Sequence, residues 1–130
     1  MDNTDIVVPT QAVLFEIAGE PASKANSRRL VHWRGVSRMI KSEKALTYSE
    51  LFKRQMCGSQ HEPLDGDVAV KIHIWYASRR PDLDESLILD LLQGFAYTND
   101  RQVKQKHIYW GLDKDNPRCK IWVWKIQTPQ

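Results

Sequence analysis

Residues 68–76 alternate between an apolar set, Val68, Val70, Ile72, Ile74 and Tyr76, and a mixed set, Ala69, Lys71, His73 and Trp75. Successive side chains of an extended chain point to opposite faces, so this pattern predicts a long strand with one apolar side that the rest of the fold must cover. The strand runs directly into Arg79-Arg80-Pro81-Asp82-Leu83-Asp84-Glu85, where basic residues give way at once to carboxylates. Between Asp84 and Val103 lie an apolar helical segment with an acidic opening and, beyond its end, Asn99-Asp100.

Geometry decides what those carboxylates can do. Pro81 biases Arg80 toward extended backbone, which places Asp82 and Asp84 in a strand end or loop. Residues two apart in an extended chain project to one side, whereas on a helix they diverge by about 200°. Both carboxylates can therefore converge on one cation, with Leu83 pointing the other way into the core. The helix is predicted over residues 85–93, with Ile88, Leu91, Leu92 and Phe95 as its buried stripe, Ser86, Asp90 and Gln93 on the other side and Gly94 as its stop. A turn then lets Asp100, opening the next strand, return toward Asp82 and Asp84. Three such carboxylates repel unless a cation joins them, and all-oxygen donors without nearby Cys or paired His favour Mg²⁺, with Mn²⁺ able to substitute. A second reading stands beside this one: Asp82 with Glu85 has capping-box spacing, and Asp84 is itself a good cap.

Elsewhere the pattern is plain. Val13, Phe15 and Ile17 mark a half-buried strand over residues 12–18, stopped by Gly19 and Pro21. Residues 29–40 read as a hairpin about Gly35 with arginines along it, either a ribbon for a duplex or a solvated hairpin. Ser42 caps a helix predicted to reach about Gln55, with Ala45, Tyr48, Leu51, Phe52 and Met56 as its apolar stripe and Gly58 as a stop. Residues 103–110 and 120–125 read as a terminal antiparallel pair, with Trp122 and Trp124 opposite Ile121 and Val123, so that both faces are buried or one is an interface.

Charge supplies a partner class. Residues 21–41 hold Lys24, Arg28, Arg29, Arg34, Arg38 and Lys41 and no acid, whereas residues 82–90 hold Asp82, Asp84, Glu85 and Asp90 and no base. A basic segment beside a compact acidic site suits a phosphate polymer processed by a bound cation. At 130 residues the chain is expected to form one domain, with residues 1–10 as a flexible tail. Cys57 and Cys119 have no metal-ligand spacing and read as reduced thiols of a cytoplasmic protein; no apolar run approaches a membrane span, and the polar start lacks a secretion signal.

Taken in order, Pro81-Asp82-Leu83-Asp84, a helix bearing Asp90, and Asn99-Asp100-Arg101-Gln102-Val103 resemble the active-site block of the RusA family of Holliday junction resolvases. That block runs Asp-x-Asp, an Asp-bearing helix, then Asp-Asp-x-Gln-Ile/Val. Gly19-Glu20-Pro21-Ala22-Ser23-Lys24 with Arg28 is similar to the family's Gly-x-Pro-x-x-Lys element, and Lys41-Ser42 leading into the Tyr48 helix also fits, so the likeness runs from about Leu14 to the last strand. The resemblance implies an α+β fold with a mixed or antiparallel sheet and two main helices, acting as a homodimer on branched DNA. It implies Mg²⁺-dependent paired hydrolysis of phosphodiesters at four-way junctions, with no small-molecule cofactor. By position Asp82, Asp84 and Asp100 match the catalytic, metal-binding aspartates and Asp90 the helical one.

Three departures are visible. Asn99 replaces the first Asp of the pair, Glu85 replaces an Asn, and the helix lacks the family's lysine, Ile88 and Leu89 standing near its place. Lys24 is the first candidate to replace it, as catalyst or as phosphate contact, with Arg79, Lys104 and Lys106 behind it. DNA contacts are expected from Lys24, Arg28, Arg29, Arg34, Arg38, Lys41, Arg79, Arg80, Lys104 and Lys106. The rivals are a non-catalytic nucleic-acid-binding protein and a magnesium nuclease for other branched or duplex DNA.

Overall fold

A computed structural model describes residues 6–23, 28–58 and 61–127. Its elements in chain order are β1 (Val13–Ala18), β2 (Arg28–Trp33), β3 (Val36–Lys41), α1 (Glu43–Met56), β4 (Val68–Tyr76), α2 (Ser86–Leu91), β5 (Val103–Leu112) and β6 (Arg118–Lys125). The fold is α+β, with a mixed four-stranded sheet in the order β1-β6-β4-β5, a separate β2-β3 ribbon and two helices. Of the expected tail, residues 1–5 lie outside the described residues; by Pro9 the chain is already turning, its carbonyl accepting the Ala12 N–H at 3.1 Å.

The alternating segment is β4, and it occupies the middle of the sheet. Val68, Val70, Ile72 and Ile74 are fully buried and join Phe15 and Ile17 of β1, Ile121 and Val123 of β6, Phe52 of α1, and Ile88 and Leu92 in one core. Each such side chain withdrawn from water contributes roughly 1.5–3 kcal/mol, which is why the strand with the most of them is central. Both helices lie on this face. Ser42 caps α1 as expected, its hydroxyl accepting the Ala45 N–H at 3.2 Å, and Tyr48, Phe52 and Met56 are buried. Leu51 of the expected stripe is instead 36% exposed, and Ser49 is buried, its hydroxyl donating to the Ala45 carbonyl.

The terminal antiparallel pair is not formed. β4 lies between β5 and β6, parallel to β5 and antiparallel to β6. Local spacing suggested a hairpin, but the connection at residues 113–117 steps across β4, and Asp113 locks that step by accepting from Arg118 Nη1 at 2.8 Å and donating its backbone N–H to the Tyr76 carbonyl. α2 carries the chain from β4 to its parallel neighbour, the crossover that a parallel pair requires.

The outer sheet face is an aromatic and cationic stack. Lys71, only 7% exposed, places its ammonium 4.7 Å from the Trp122 ring centre and 5.6 Å from that of Tyr109. Trp75 stacks on His73 at 3.7 Å and carries the Arg118 guanidinium at 4.2 Å. Trp124 is buried against His107, their rings nearly parallel at 6.4 Å, so the tryptophans opposite Ile121 and Val123 are largely covered by the sheet's own side chains.

Candidate active site

Asp82 and Asp84 lie, as the Arg80-Pro81 step predicts, in the loop between β4 and α2. The expected anchor does not hold: Leu83 is 37% exposed. The loop is fixed instead through polar groups. The Asp84 N–H donates to the Tyr76 hydroxyl at 3.2 Å, and Asp84 Oδ1 accepts the Ser86 N–H at 2.9 Å. The second bond settles the helix start, because Glu85, in the N-cap position, makes no side-chain cap bond and no Asp82–Glu85 capping box forms. Asp84 thus satisfies a free helix N–H with one oxygen.

Around the Tyr76 hydroxyl gather Asp84, Glu20 and Glu85. Burial chiefly pushes that phenol upward, and all three carboxylates push it the same way, while the Asp84 N–H opposes them. Glu20 comes from the turn after β1 and accepts the Ala77 N–H at 2.9 Å, tying the Gly-x-Pro element to the end of β4. Glu85 takes the Lys106 ammonium at 2.9 Å. Lys106 of β5 thus stands beside the start of α2, a helix with no lysine of its own.

A second acidic group, Asp90 and Asp100, lies at and beyond the other end of α2. The helix is shorter than predicted, ending at Leu91, and the chain bends through Gly94, whose φ of +90° suits a residue without Cβ. Gln93 reaches back with Nε2 to Asp90 Oδ1 at 3.1 Å and accepts the Asp100 N–H on Oε1 at 3.0 Å, so one amide joins the two aspartates. Asp100 opens a 3₁₀ turn, Asp100–Gln102, immediately before β5 rather than the strand itself. Asn99, in the first position of the family's acidic pair, forms a reciprocal capping box with Gln102, whose side chain also donates to the carbonyls of Leu64 and Gly66 at 2.8 Å. The Tyr97 hydroxyl donates to the Leu89 carbonyl at 2.6 Å, and burial, then Asp100, then Asp90 raise its pKa.

The sequence-predicted carboxylates thus fall in two neighbourhoods along the chain, Asp82 and Asp84 before α2 and Asp90 and Asp100 at and beyond its end. Among the described residues no three Asp, Glu, His or Cys side chains stand close enough together to hold one ion. Asp82, Asp90 and Asp100 are exposed and Asp84 is half-buried. The Asp82 and Asp100 carboxylates form no hydrogen bond or ion pair with another described residue. As a donor set these groups fit a hard divalent cation, and Mg²⁺ in particular is commonly held by one or two carboxylates plus waters and substrate phosphate. Glu20, Tyr76, Gln93 and Tyr97 were not singled out from the sequence as site residues. Gln93 was placed beside Asp90 on the polar side of the helix, whereas the tyrosines look like core.

The expected DNA contacts are dispersed. Arg29, Arg34 and Arg38 are exposed on the ribbon, Lys41 is half-buried at its base, and Arg80 and Lys104 are exposed near the two acidic neighbourhoods. Arg79, also exposed, lies over Trp110 at 5.7 Å. Lys24 and the side chain of Arg28 lie outside the described residues.

The family model Endodeoxyribonuclease RusA matches residues 18–123, a stretch that holds the arginine-rich ribbon, the crossover helix and the aspartates on it and around it. The chain belongs to the RusA endodeoxyribonuclease family and is an endonuclease that hydrolyses DNA phosphodiester bonds. No curated protein matches it. No helix among the described residues is long and apolar enough to cross a membrane.

Proposed function

We propose that the chain is a Mg²⁺-dependent, structure-selective endonuclease that resolves four-way DNA junctions as a homodimer, with Asp82, Asp84 and Asp100 as catalytic ligands and Asp90 beside them. The observation that carries this reading is the family match over residues 18–123, which encloses the Asp82-Leu83-Asp84 loop, the Asp90 helix and the Asp100 turn in the family's order. When bound, a divalent ion would neutralise charge on the phosphodiester and lower the pKa of a water for in-line attack. Asp82 and Asp100 offer carboxylates uncommitted to other described residues, and Asp84 stands two residues from Asp82 in the same loop, with Oδ1 on the Ser86 N–H. Gln93 fixes the approach of Asp100 to the helix through its backbone N–H.

Lys106, paired with Glu85 at 2.9 Å, takes the place of the missing helix lysine in this reading. Lys24 serves as a phosphate contact, together with Arg28, Arg29, Arg34, Arg38, Lys41, Arg79, Arg80 and Lys104. Such contacts position the duplex and carry no sequence information. A two-fold dimer suits a junction, which presents two equivalent strands to be cut.

A substrate panel tests this. Four-way junction, flap, fork and linear duplex of shared sequence are incubated with and without Mg²⁺ or Mn²⁺. Paired symmetric nicks confined to the junction, dependent on the metal, are expected; equal cutting of linear duplex would make the protein a nuclease of broader range and overturn the junction assignment.

A further inference from the structure

The β2-β3 ribbon packs extensively on no other element among the described residues, and nearly all its side chains are exposed. Its register puts Arg29 opposite Ile40, Val31 opposite Arg38 and Trp33 opposite Val36 on one face. Most of these residues, with Arg34, line a groove of ≈ 500 Å³. Trp33 is 69% and Val36 57% exposed, so the tip presents a large apolar surface to water.

The turn itself is unusual. Arg34 has φ +49° and Gly35 φ +76°, the pair of positive values that a two-residue type I′ hairpin demands. Asn or Gly is the low-strain residue at the first of these positions, yet an arginine is held there, and its guanidinium lies 4.7 Å over the Trp33 ring. The strain is thus accompanied by a flat indole backed by a cation at the most distant point of the ribbon.

Charge selects the occupant. Arg29, Arg34 and Arg38 share the ribbon with Trp33, and residues 21–41 contain no acid. Two copies of this face would oppose like charges, and a protein partner would have to be acidic as well as apolar. A polyanion whose units carry flat aromatic faces meets both demands, since bases stack on exposed aromatics while arginines take the phosphates. In a four-way junction the bases at the crossover are the ones that can be unstacked.

We infer that Trp33 is a specificity residue, an indole that stacks on an unpaired or unstacked base at the branch point, with Arg34 holding it and Arg29 and Arg38 gripping the adjoining phosphates. This rests on the junction reading of the substrate.

The test measures binding in Ca²⁺, without cleavage, to a junction carrying 2-aminopurine at the crossover and to a linear duplex of the same sequence. Trp33→Ala should weaken junction binding about 5- to 150-fold, the range of one lost base–aromatic stack, and abolish the fluorescence change of the crossover 2-aminopurine. Its duplex affinity should stay within about twofold of wild type, and Trp33→Phe should recover most of the junction preference. Junction affinity unchanged in Trp33→Ala, or lost equally on duplex, overturns the inference. So does conversion of a wild-type dimer to monomers by Trp33→Ala in sedimentation velocity, which would make the ribbon a contact between copies. A wild-type protein with no junction preference would instead remove the substrate reading, and this inference with it.

Discussion

At the scale of single residues, the two cysteines show how position changes chemistry. Cys57 is exposed, whereas Cys119 is buried beneath α1, 3.6 Å from the Tyr48 hydroxyl. Burial pushes the Cys119 thiol up to about 12 and raises the Tyr48 phenol as well. A group whose neutral form is favoured by folding contributes stability that is full below its unfolded value, near 9, and is lost as pH rises toward the folded value. Stability should therefore fall above pH 9, by roughly 1 kcal/mol per pH unit, and Cys119→Ala should flatten that fall. Urea titrations at pH 8, 9.5 and 10.5 check this; identical slopes for both proteins would contradict it. Sequence spacing set the two thiols far apart, and neither is in a disulfide. The contact with Tyr48 was not legible, because it joins residues far apart in the chain. The same limit applies to the site: Asp82 and Asp84 were correctly placed in a loop by Pro81, but Leu83 is not buried, because the Tyr76 hydroxyl rather than the core anchors the segment.

At the scale of elements, alternation and caps located the strands and helices well. β4 spans the predicted residues, Ser42 opens α1, and the hairpin turns at Arg34-Gly35. Pairing was less legible, because period-two patterns reveal a strand's faces and not its neighbours; β4 separates the two strands expected to pair. The close approach at Gly111 also emerges only from the assembled sheet. A Cβ there would stand 2.6 Å from Trp75 Cδ1 and 2.8 Å from His73 Nε2. Trp75 has little room to yield, stacked on His73 at 3.7 Å and covered by Arg118 at 4.2 Å. Gly111→Ala should thus destabilise by about 1–3 kcal/mol, the usual penalty of overpacking. Gly58, with no atom within 4 Å of where a Cβ would stand and an ordinary backbone, should accept alanine with little change. Chemical denaturation of the two variants decides the matter, and equal midpoints would show that the outer stack is loose.

At the scale of the whole molecule, the proposed function divides the work of a nuclease between a basic ribbon for grip and an acidic centre for chemistry. The charge pattern of residues 21–41 and 82–90 suggests that division, and the family was legible in the order of the motifs. What the sequence left unresolved was how far the carboxylates converge: α2 sets Asp84 before its start and Asp100 beyond its end, and Gln93 links Asp100 to Asp90. Of the lysine candidates in the sequence, Lys106 forms an ion pair with Glu85, while Lys24 lies outside the described residues. The most direct test of the proposed catalytic centre pairs cleavage with binding for Asp82→Asn and Asp100→Asn, each assayed on a four-way junction in Mg²⁺ and, for affinity, in Ca²⁺. Cleavage should fall by roughly 100-fold or more in each while junction affinity stays within about threefold, since ligands are removed but the basic surface remains. Cleavage at the wild-type rate by both variants would contradict the metal-centred reading of these aspartates.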